Sequence, residues 1–307
     1  MKRLVIALAA TAIMMTFAMA QNVGVSMAYF DDLFLTNLRE AMSASAKEKG
    51  IKLQFEDAQG DIGKQLSQIQ NFIAQKVDVM VVNPVDSSAT AQMTKLIKDA
   101  KIPAVYVNRQ PLEPLDPNDP IVYVGSDENV SGKLEAEGIA KLLNGKGNVA
   151  IMMGELATQA AILRTEGAEK VFAKHPDIKV VQKQTANWRR SEAIDLMNNW
   201  LTAGTKIDAV CANNDEMAIG AIIALQQAGK DPKTVVVGGV DATRDALAEM
   251  EKGNLDVTVF QDAKGQGRAV VDSVQKLAKK EKFESPYVYV PFELVTPENY
   301  KEYLKKL

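Results

Sequence analysis

Short runs dense in valine and isoleucine recur along this chain, separated by longer stretches of helical period. NVGVSMA (22–28), IKLQFED (51–57), VDVMVVN (77–83) and IPAVYVN (102–108) are nearly continuous apolar runs. Between them, LFLTNLREAMSASAKEKG and KQLSQIQNFIAQK carry apolar residues three and four apart, so Leu66, Ile69 and Ile73 share one helix face. Strands that are apolar on both faces and joined by helices call for a parallel sheet covered on both sides. The pattern then restarts. GNVAIMMG (147–154), DIKVVQKQTA (177–186), IDAVCAN (207–213) and TVVVGGVD (234–241) follow at a spacing of about 25–30 residues, the size of a βα unit. Two halves in tandem predict two α/β domains of about 100–130 residues each. The loop RQPLEPLDPNDP (109–120), with four prolines, is excluded from helix, and IVYVGSD (121–127) reads as a strand after it. DVTVFQD (256–262), a helix from about 264 to 280, and YVYVPFELV (287–295) complete the pattern.

The first 20 residues stand apart. MKR is a basic start, LVIALAATAIMMTFA an apolar run too short to span a bilayer comfortably, and AMA (18–20) a small-x-small cleavage pattern before Gln21. They predict a secretory signal peptide cleaved after Ala20. No cysteine follows that site to take a lipid. Loss of Lys2 and Arg3 with the leader leaves 34 basic against 39 acidic residues, a net charge of −5. Such a chain offers no basic field for nucleic acid. Its densest cluster, KKEK (279–282), reads as a solvated helix end. The single cysteine, Cys211, sits in an apolar strand and cannot form an internal disulfide. The single histidine, His175 in AKHPD, reads as a surface residue. One histidine and one cysteine argue against a zinc site and against a Cys–His nucleophile. No metal and no cofactor is expected.

In an open parallel sheet, ligands bind beyond the carboxyl ends of the strands. The residues there are YFDDLF (29–34), NRQ (108–110), GELATQAAILR (154–164), ANWRR (186–190), NNDE (213–216), VDATRD (240–245) and Gln261. They supply Asp32, Asn108, Arg109, Arg164, Trp188, Asn214, Asp241 and Gln261, with the rings of Tyr29, Phe30, Phe34 and Trp188. Carboxylates, amides and guanidinium forks match hydroxyls, which both donate and accept. Aromatic rings match the C–H faces of a saturated ring. The mixture suits a neutral polyhydroxylated ligand. Each residue also has a plainer reading. Asp215 reads as the N-cap of the helix that follows, and Asn214 as a member of the same turn. Asp32 and Asp241 also precede helices and read as caps. Arg109 has Asp116 and Asp119 within its own loop, and Trp188 reads as core cover.

Over essentially its full mature length the chain resembles the periplasmic sugar-binding proteins of ABC transporters, of the ribose-binding type. The matching words are DDLFLTNLREAM, VMVVNPVDS, IPAVYVNRQ, VGSDENVSGKLEA, NNDEMAIGAIIALQQAGK and VVVGGVDATRD. The resemblance implies two doubly wound parallel-sheet lobes joined by three hinge crossings, with the ligand trapped between them. The lobes would comprise residues 21–126 plus 262–290 and 127–261 plus 291–307. Carried over by position, the pocket falls on Asp32, Phe34, Asn108, Arg109, Arg164, Trp188, Asn214, Asp241 and Gln261, with Asn214 on the ligand and Asp215 left to start the helix. Ribose binders of the family have Asn-Asn-Pro-Phe-Phe where this chain has Asp31, Asp32, Leu33, Phe34 and Leu35, so one stacking ring is lost and Phe30 or Tyr29 is the candidate replacement. They have Asp-Arg where this chain has Asn108 and Arg109, and Phe in place of Trp188. These departures favour a six-membered ring, and the FDDxFL and VNRQP words resemble the inositol- and rhizopine-binding branch. The implied function is capture of myo-inositol or a close cyclitol, with ribose or another monosaccharide as the alternative. An inner-membrane ABC permease is the implied partner, a chemotaxis receptor a further candidate, and a monomer the expected state.

Two other classes fit less well. LacI-type regulators share the architecture but carry a helix-turn-helix where this chain has its leader. An enzyme would need a phosphate loop or a catalytic pair. GDIGKQ (60–65) and GQGRAV (265–270) match no such loop, and Asp32 with Asp241, imaginable as an acid/base pair for glycoside hydrolysis, both have a non-catalytic role in what the resemblance implies.

Overall fold

The computed structural model describes residues 21–307, and the counts here are of those residues; the predicted leader and its cleavage site lie outside them. The first half runs β1 (Asn22–Met27), α1 (Leu33–Glu48), β2 (Lys52–Asp57), α2 (Ile62–Gln75), β3 (Val79–Val82), α3 (Thr90–Asp99), β4 (Ala104–Val107) and β5 (Ile121–Gly125). The second runs α4 (Glu128–Leu142), β6 (Lys146–Met153), α5 (Gln159–Phe172), β7 (Asp177–Thr185), α6 (Arg190–Thr202), β8 (Ala209–Ala212), α7 (Asp215–Gln227), β9 (Val236–Gly238), α8 (Arg244–Lys252) and β10 (Thr258–Phe260). The tail adds α9 (Ala263–Ala278), β11 (Tyr287–Tyr289), β12 (Glu293–Val295) and α10 (Tyr300–Leu304).

The first sheet has the order β11-β5-β4-β3-β1-β2, with every pair parallel. The second has β7-β6-β8-β9. Single bridges Gly238↔Val257 and Asp241↔Phe260 extend it to β10 and so to β12. Both halves thus repeat one winding, with the second strand outermost, the first inside it and the later strands running the other way. That reversal opens a crevice at the carboxyl ends of each sheet. Three connections join the halves: β5 to α4, β10 to α9, and β11 to β12. The apolar segment 287–295, read from sequence as one strand, is two strands in different sheets, and β12 runs antiparallel to β10. Pro291 lies between them and offers no N–H to a ladder, which suits the point where the chain changes sheets.

The helices form where the apolar period predicts. Leu35, Leu38, Met42 and Ala46 of α1 are buried against the first sheet, as are Val25, Val81 and Val105 of its strands. Each fully buried valine, leucine or methionine among them contributes about 1.5–3 kcal/mol against leaving it in water. The helix starts are set by side-chain caps at the strand ends. Asp32, Asp61, Asp127, Thr158, Asn214, Thr243 and Asp262 each accept from a backbone N–H two or three residues on. No helix among the described residues is long and apolar enough to cross a membrane.

Helices α4 and α5 cross in close contact through glycine. A Cβ on Gly132 would lie 1.9 Å from the Arg164 carbonyl oxygen, a backbone atom that cannot swing aside. We therefore expect Gly132→Ala to destabilise the protein by about 1–3 kcal/mol, the range for overpacking. Urea unfolding measures this; an unchanged midpoint would contradict the packing described.

Candidate functional site

The carboxyl ends of β1, β3 and β4 face those of β6, β8 and β9 across a gap. A cavity of ≈ 440 Å³ opens there, lined among others by Tyr29, Asp32, Phe34, Arg109, Trp188, Asn214 and Asp241. A smaller recess shares Asp32, Phe34, Arg109, Trp188, Asn214 and Asp241 with it, and adds Asn108, Glu128, Arg164 and Gln261. Nine of the ten side chains expected from sequence therefore face one space. The exception is Phe30, which lines neither cavity. Its ring lies under the Arg39 guanidinium, 4.0 Å away, and Tyr29 takes the place at the rim.

Arg164 is at the centre of the recess and is 4 % exposed. Its Nε donates to Glu128 Oε2 at 2.7 Å and its Nη2 to Glu128 Oε1 at 3.2 Å. Nη1 donates to the Asn213 carbonyl at 2.7 Å and Nη2 to Gln261 Oε1 at 3.2 Å. A guanidinium carries five N–H groups. One on Nη1 is left over, with Asp241 Oδ1 4.0 Å away. Glu128 was not singled out in the sequence. Its partner lies 36 residues away, and its own signal was limited to an acid in the first turn of α4. Gln261, whose oxygen serves Arg164, has its buried Nε2 without a partner in the protein.

Asp241, 6 % exposed, is fixed by its backbone. Its N–H donates to Val259 O at 2.8 Å and its carbonyl accepts from Gln261 N at 3.3 Å. It caps no helix, contrary to the plainer sequence reading; Thr243 caps α8 instead. Asp32 does cap α1, accepting from Leu35 N at 2.8 Å, and it lines the cavity too. The cap read at Asp215 falls on Asn214, which also lines both cavities. Asn214 is the N-cap of α7, accepting from Met217 N at 3.0 Å and donating to Trp188 O at 3.3 Å. Asp215 is buried and ties three elements together, accepting from Thr243 N and from Thr258 Oγ1, both at 2.7 Å. A carboxylate that can find two buried donors elsewhere is better placed inside the helix than at its cap.

Arg109 does not pair with the acids of its own loop. Nη1 donates to Val85 O at 3.1 Å and Pro84 O at 3.3 Å, and Nη2 lies 3.2 Å from Glu155 of the other lobe. Asp119 is taken by Lys98 and Asp116 by Asn118. Trp188 is half-buried, covers the core of the second lobe as the plainer reading has it, and lines both cavities. Its indole lies over Gly154, where a Cβ would meet it at 2.1 Å, and its ring faces the Arg164 guanidinium at 5.6 Å. Asn108, Trp188 and Asp241 all have positive φ, at 62°, 65° and 121°. Side chains rarely tolerate this, at a cost of about 1–3 kcal/mol each, and such residues concentrate at ligand sites.

Residues 23–282 match the periplasmic binding protein domain. A candidate rhizopine-binding protein of Rhizobium meliloti is 52 % identical over all of both chains. A xylitol-binding protein of Mycolicibacterium smegmatis is 35 % identical, covering 88 % of this chain and 76 % of its own. The crystal structure of an ABC transporter solute-binding protein from Bacillus halodurans, with bound myo-inositol, superposes with a TM-score of 0.88 at 46 % identity. That match covers 94 % of this chain and 98 % of the other. The chain belongs to the periplasmic binding proteins. These are solute-binding proteins rather than enzymes.

In this binding protein burial holds two carboxyls near the recess, Asp241 and Asp215, against ionisation. Burial pushes Asp241 well above the usual carboxylate range, with Arg164 opposing and the charges of Asp215 and Asp32 adding to the rise. Burial raises Asp215 to about 7, opposed by its Thr258 and Thr243 hydrogen bonds. Behind the second sheet, burial raises Glu135 to about 8, against the Cys211 thiol and the pull of Arg164. That thiol is itself pushed well up by burial, in keeping with inert core.

Two predictions follow from this charge arrangement. Glu128→Ala would leave Arg164 buried without its counter-ion, a loss of about 3–5 kcal/mol in urea unfolding; wild-type stability would contradict the pairing. Glu135 holds its proton when folded and releases it near 4.5 when unfolded, so stability falls as pH rises from about 4.5 to about 8. Asp215 and Asp241 slope the same way. Glu135→Gln should therefore make the profile of melting temperature against pH shallower over that window without levelling it. An unchanged slope would show that Glu135 ionises normally.

Proposed function

We propose that this protein captures a neutral polyhydroxylated ring, myo-inositol or a close cyclitol, between its lobes and delivers it unchanged to an ABC permease. The observation that carries this reading is the recess itself. The Asp241 carboxyl, a leftover guanidinium N–H (Arg164) and an unpartnered amide N–H (Gln261) converge beside the Phe34 and Trp188 rings. Each hydroxyl of a cyclitol both donates and accepts, so acceptors and donors fixed in one small space fit it. A wrong stereoisomer leaves one of them unpaired and costs about 1–3 kcal/mol. The myo-inositol in the Bacillus halodurans relative and the rhizopine assignment of the Rhizobium meliloti relative support the same ligand class.

Contacts come from both lobes: Asp32, Phe34, Asn108 and Arg109 from the first, Arg164, Trp188, Asn214, Asp241 and Gln261 from the second or its boundary. A ligand touching both sides stabilises the closed arrangement over the open one, and the three connections act as the hinge. The permease reads the closed form. The apolar leader directs the chain to the periplasm and is removed after Ala20.

A thermal-shift screen of myo-inositol, ribose, allose, galactose and xylitol tests the ligand, since a ligand bound only to the native state raises the melting temperature. Myo-inositol is expected to give the largest rise, with a change in Trp188 fluorescence. Asp241→Ala is expected to remove both responses. A larger shift with ribose, or wild-type binding by Asp241→Ala, would contradict the reading.

A further inference from the structure

One contact between the lobes bypasses the recess. The turn after β6, residues 154–158, belongs to the second lobe and reaches the first. Its Ala157 carbonyl accepts from Ser87 N at 2.9 Å, a backbone hydrogen bond across the gap, and Ser87 Oγ accepts from Gln159 N at 3.4 Å. Glu155 opens that turn. Its Oε2 is 3.2 Å from Arg109 Nη2, and the two side chains are only 17 % and 7 % exposed. Arg109 has few other ways to be held. Nη1 is anchored by the Pro84 and Val85 carbonyls, which fix one edge of the guanidinium and leave Nη2 pointing across the gap.

Tyr29 closes the cluster. Arg109 of its own lobe lies 5.5 Å from the ring centroid and Arg189 of the other lobe 5.8 Å. Arg189 in turn lies 4.0 Å from Asp31. Burial and then the nearby Glu155 carboxylate raise the Tyr29 hydroxyl pKa above its ordinary 10.0. Glu155 lines the larger cavity but not the inner recess, whereas Arg109 lines both.

The geometry points to Glu155 as a positioning residue for ligand capture: from the second lobe it grips Arg109 and clasps one rim of the cleft shut. This rests on the two-lobe capture proposed above. Arg109 is then shared. One lobe supplies it, the recess uses it, and the opposite lobe fixes its far edge. Glu155 itself does not line the recess, so the clasp adds to the closed state without choosing among stereoisomers. Its loss acts on the rate at which the cleft reopens rather than on the encounter, since affinity changes within one interface fall mostly on dissociation.

The test compares full-length mature wild type, Glu155→Gln and Glu155→Ala. Myo-inositol binding is followed by stopped-flow tryptophan fluorescence, and small-angle scattering is recorded with and without 1 mM myo-inositol, a concentration chosen on the order of a thousand times a micromolar Kd. Both variants should release myo-inositol about tenfold faster than wild type, with the association rate little changed; in Kd this is about 1.4 kcal/mol. Their preference for myo-inositol over ribose should be unchanged, and their scattering without ligand more expanded. A role in folding alone would lower the melting temperature and leave the dissociation rate in place. Equal dissociation rates and equal dimensions would overturn the inference. If wild type ignores myo-inositol, the ligand assignment fails, and the scattering comparison still decides the clasp: expansion in the variants supports it and identical curves refute it.

Discussion

The site is organised around one buried cation. Arg164 sits where β6, β8 and β10 end and where α4 approaches the gap. A guanidinium there is costly unless every N–H finds an acceptor. Glu128 supplies a two-point carboxylate, Asn213 a backbone carbonyl and Gln261 an amide oxygen. These partners come from the first crossing, from the end of β8 and from the second crossing. One side chain thereby couples two of the three interlobe connections to the recess. Satisfying the cation almost completely leaves a single N–H and the Asp241 carboxyl facing each other at 4.0 Å, too far to bond directly. A ring hydroxyl between them would bond to both. The polar groups are fixed before any ligand arrives, so little ordering remains to be done on binding.

The same economy appears in the loops. Asp32 and Asn214 each complete a helix start with one atom and offer remaining capacity to the cavity. Asn108, Trp188 and Asp241 hold positive φ, a cost accepted where the backbone must turn a side chain into the gap. The surrounding ladder holds them: Asn108 N donates to Val124 O, and Asp241 N to Val259 O. Strain at the site is thus carried by strands whose apolar faces are buried on both sides.

The sequence made the architecture legible because parallel strands buried on both faces have little choice but to be apolar throughout. The strand ends follow from the strands, and the polar residues gathered there follow from the strand ends. What stayed hidden turned on single positions and distant partners. Neither composition nor spacing separates Asn214 from Asp215 as the cap; the decision lies with Thr243 and Thr258, which fold in from later in the chain to take the Asp215 carboxylate. Tyr29 and Phe30 are adjacent and aromatic, and the sequence does not say that Tyr29 lines the gap while Phe30 lies under Arg39. Glu128 and Glu155 were unremarkable as sequence because Arg164 and Arg109, their partners, are brought to them by the winding of the sheets. The strand at 287–295 looked continuous because both of its parts are apolar, although they serve different sheets.

A crystal structure of the mature protein grown with myo-inositol tests the central claim most directly. The account requires the ring to lie in the gap, with hydroxyls bridging Asp241, Arg164 and Gln261 and a C–H face against Trp188 or Phe34. A ring bound elsewhere, with those side chains keeping the contacts described above and no others, would contradict it.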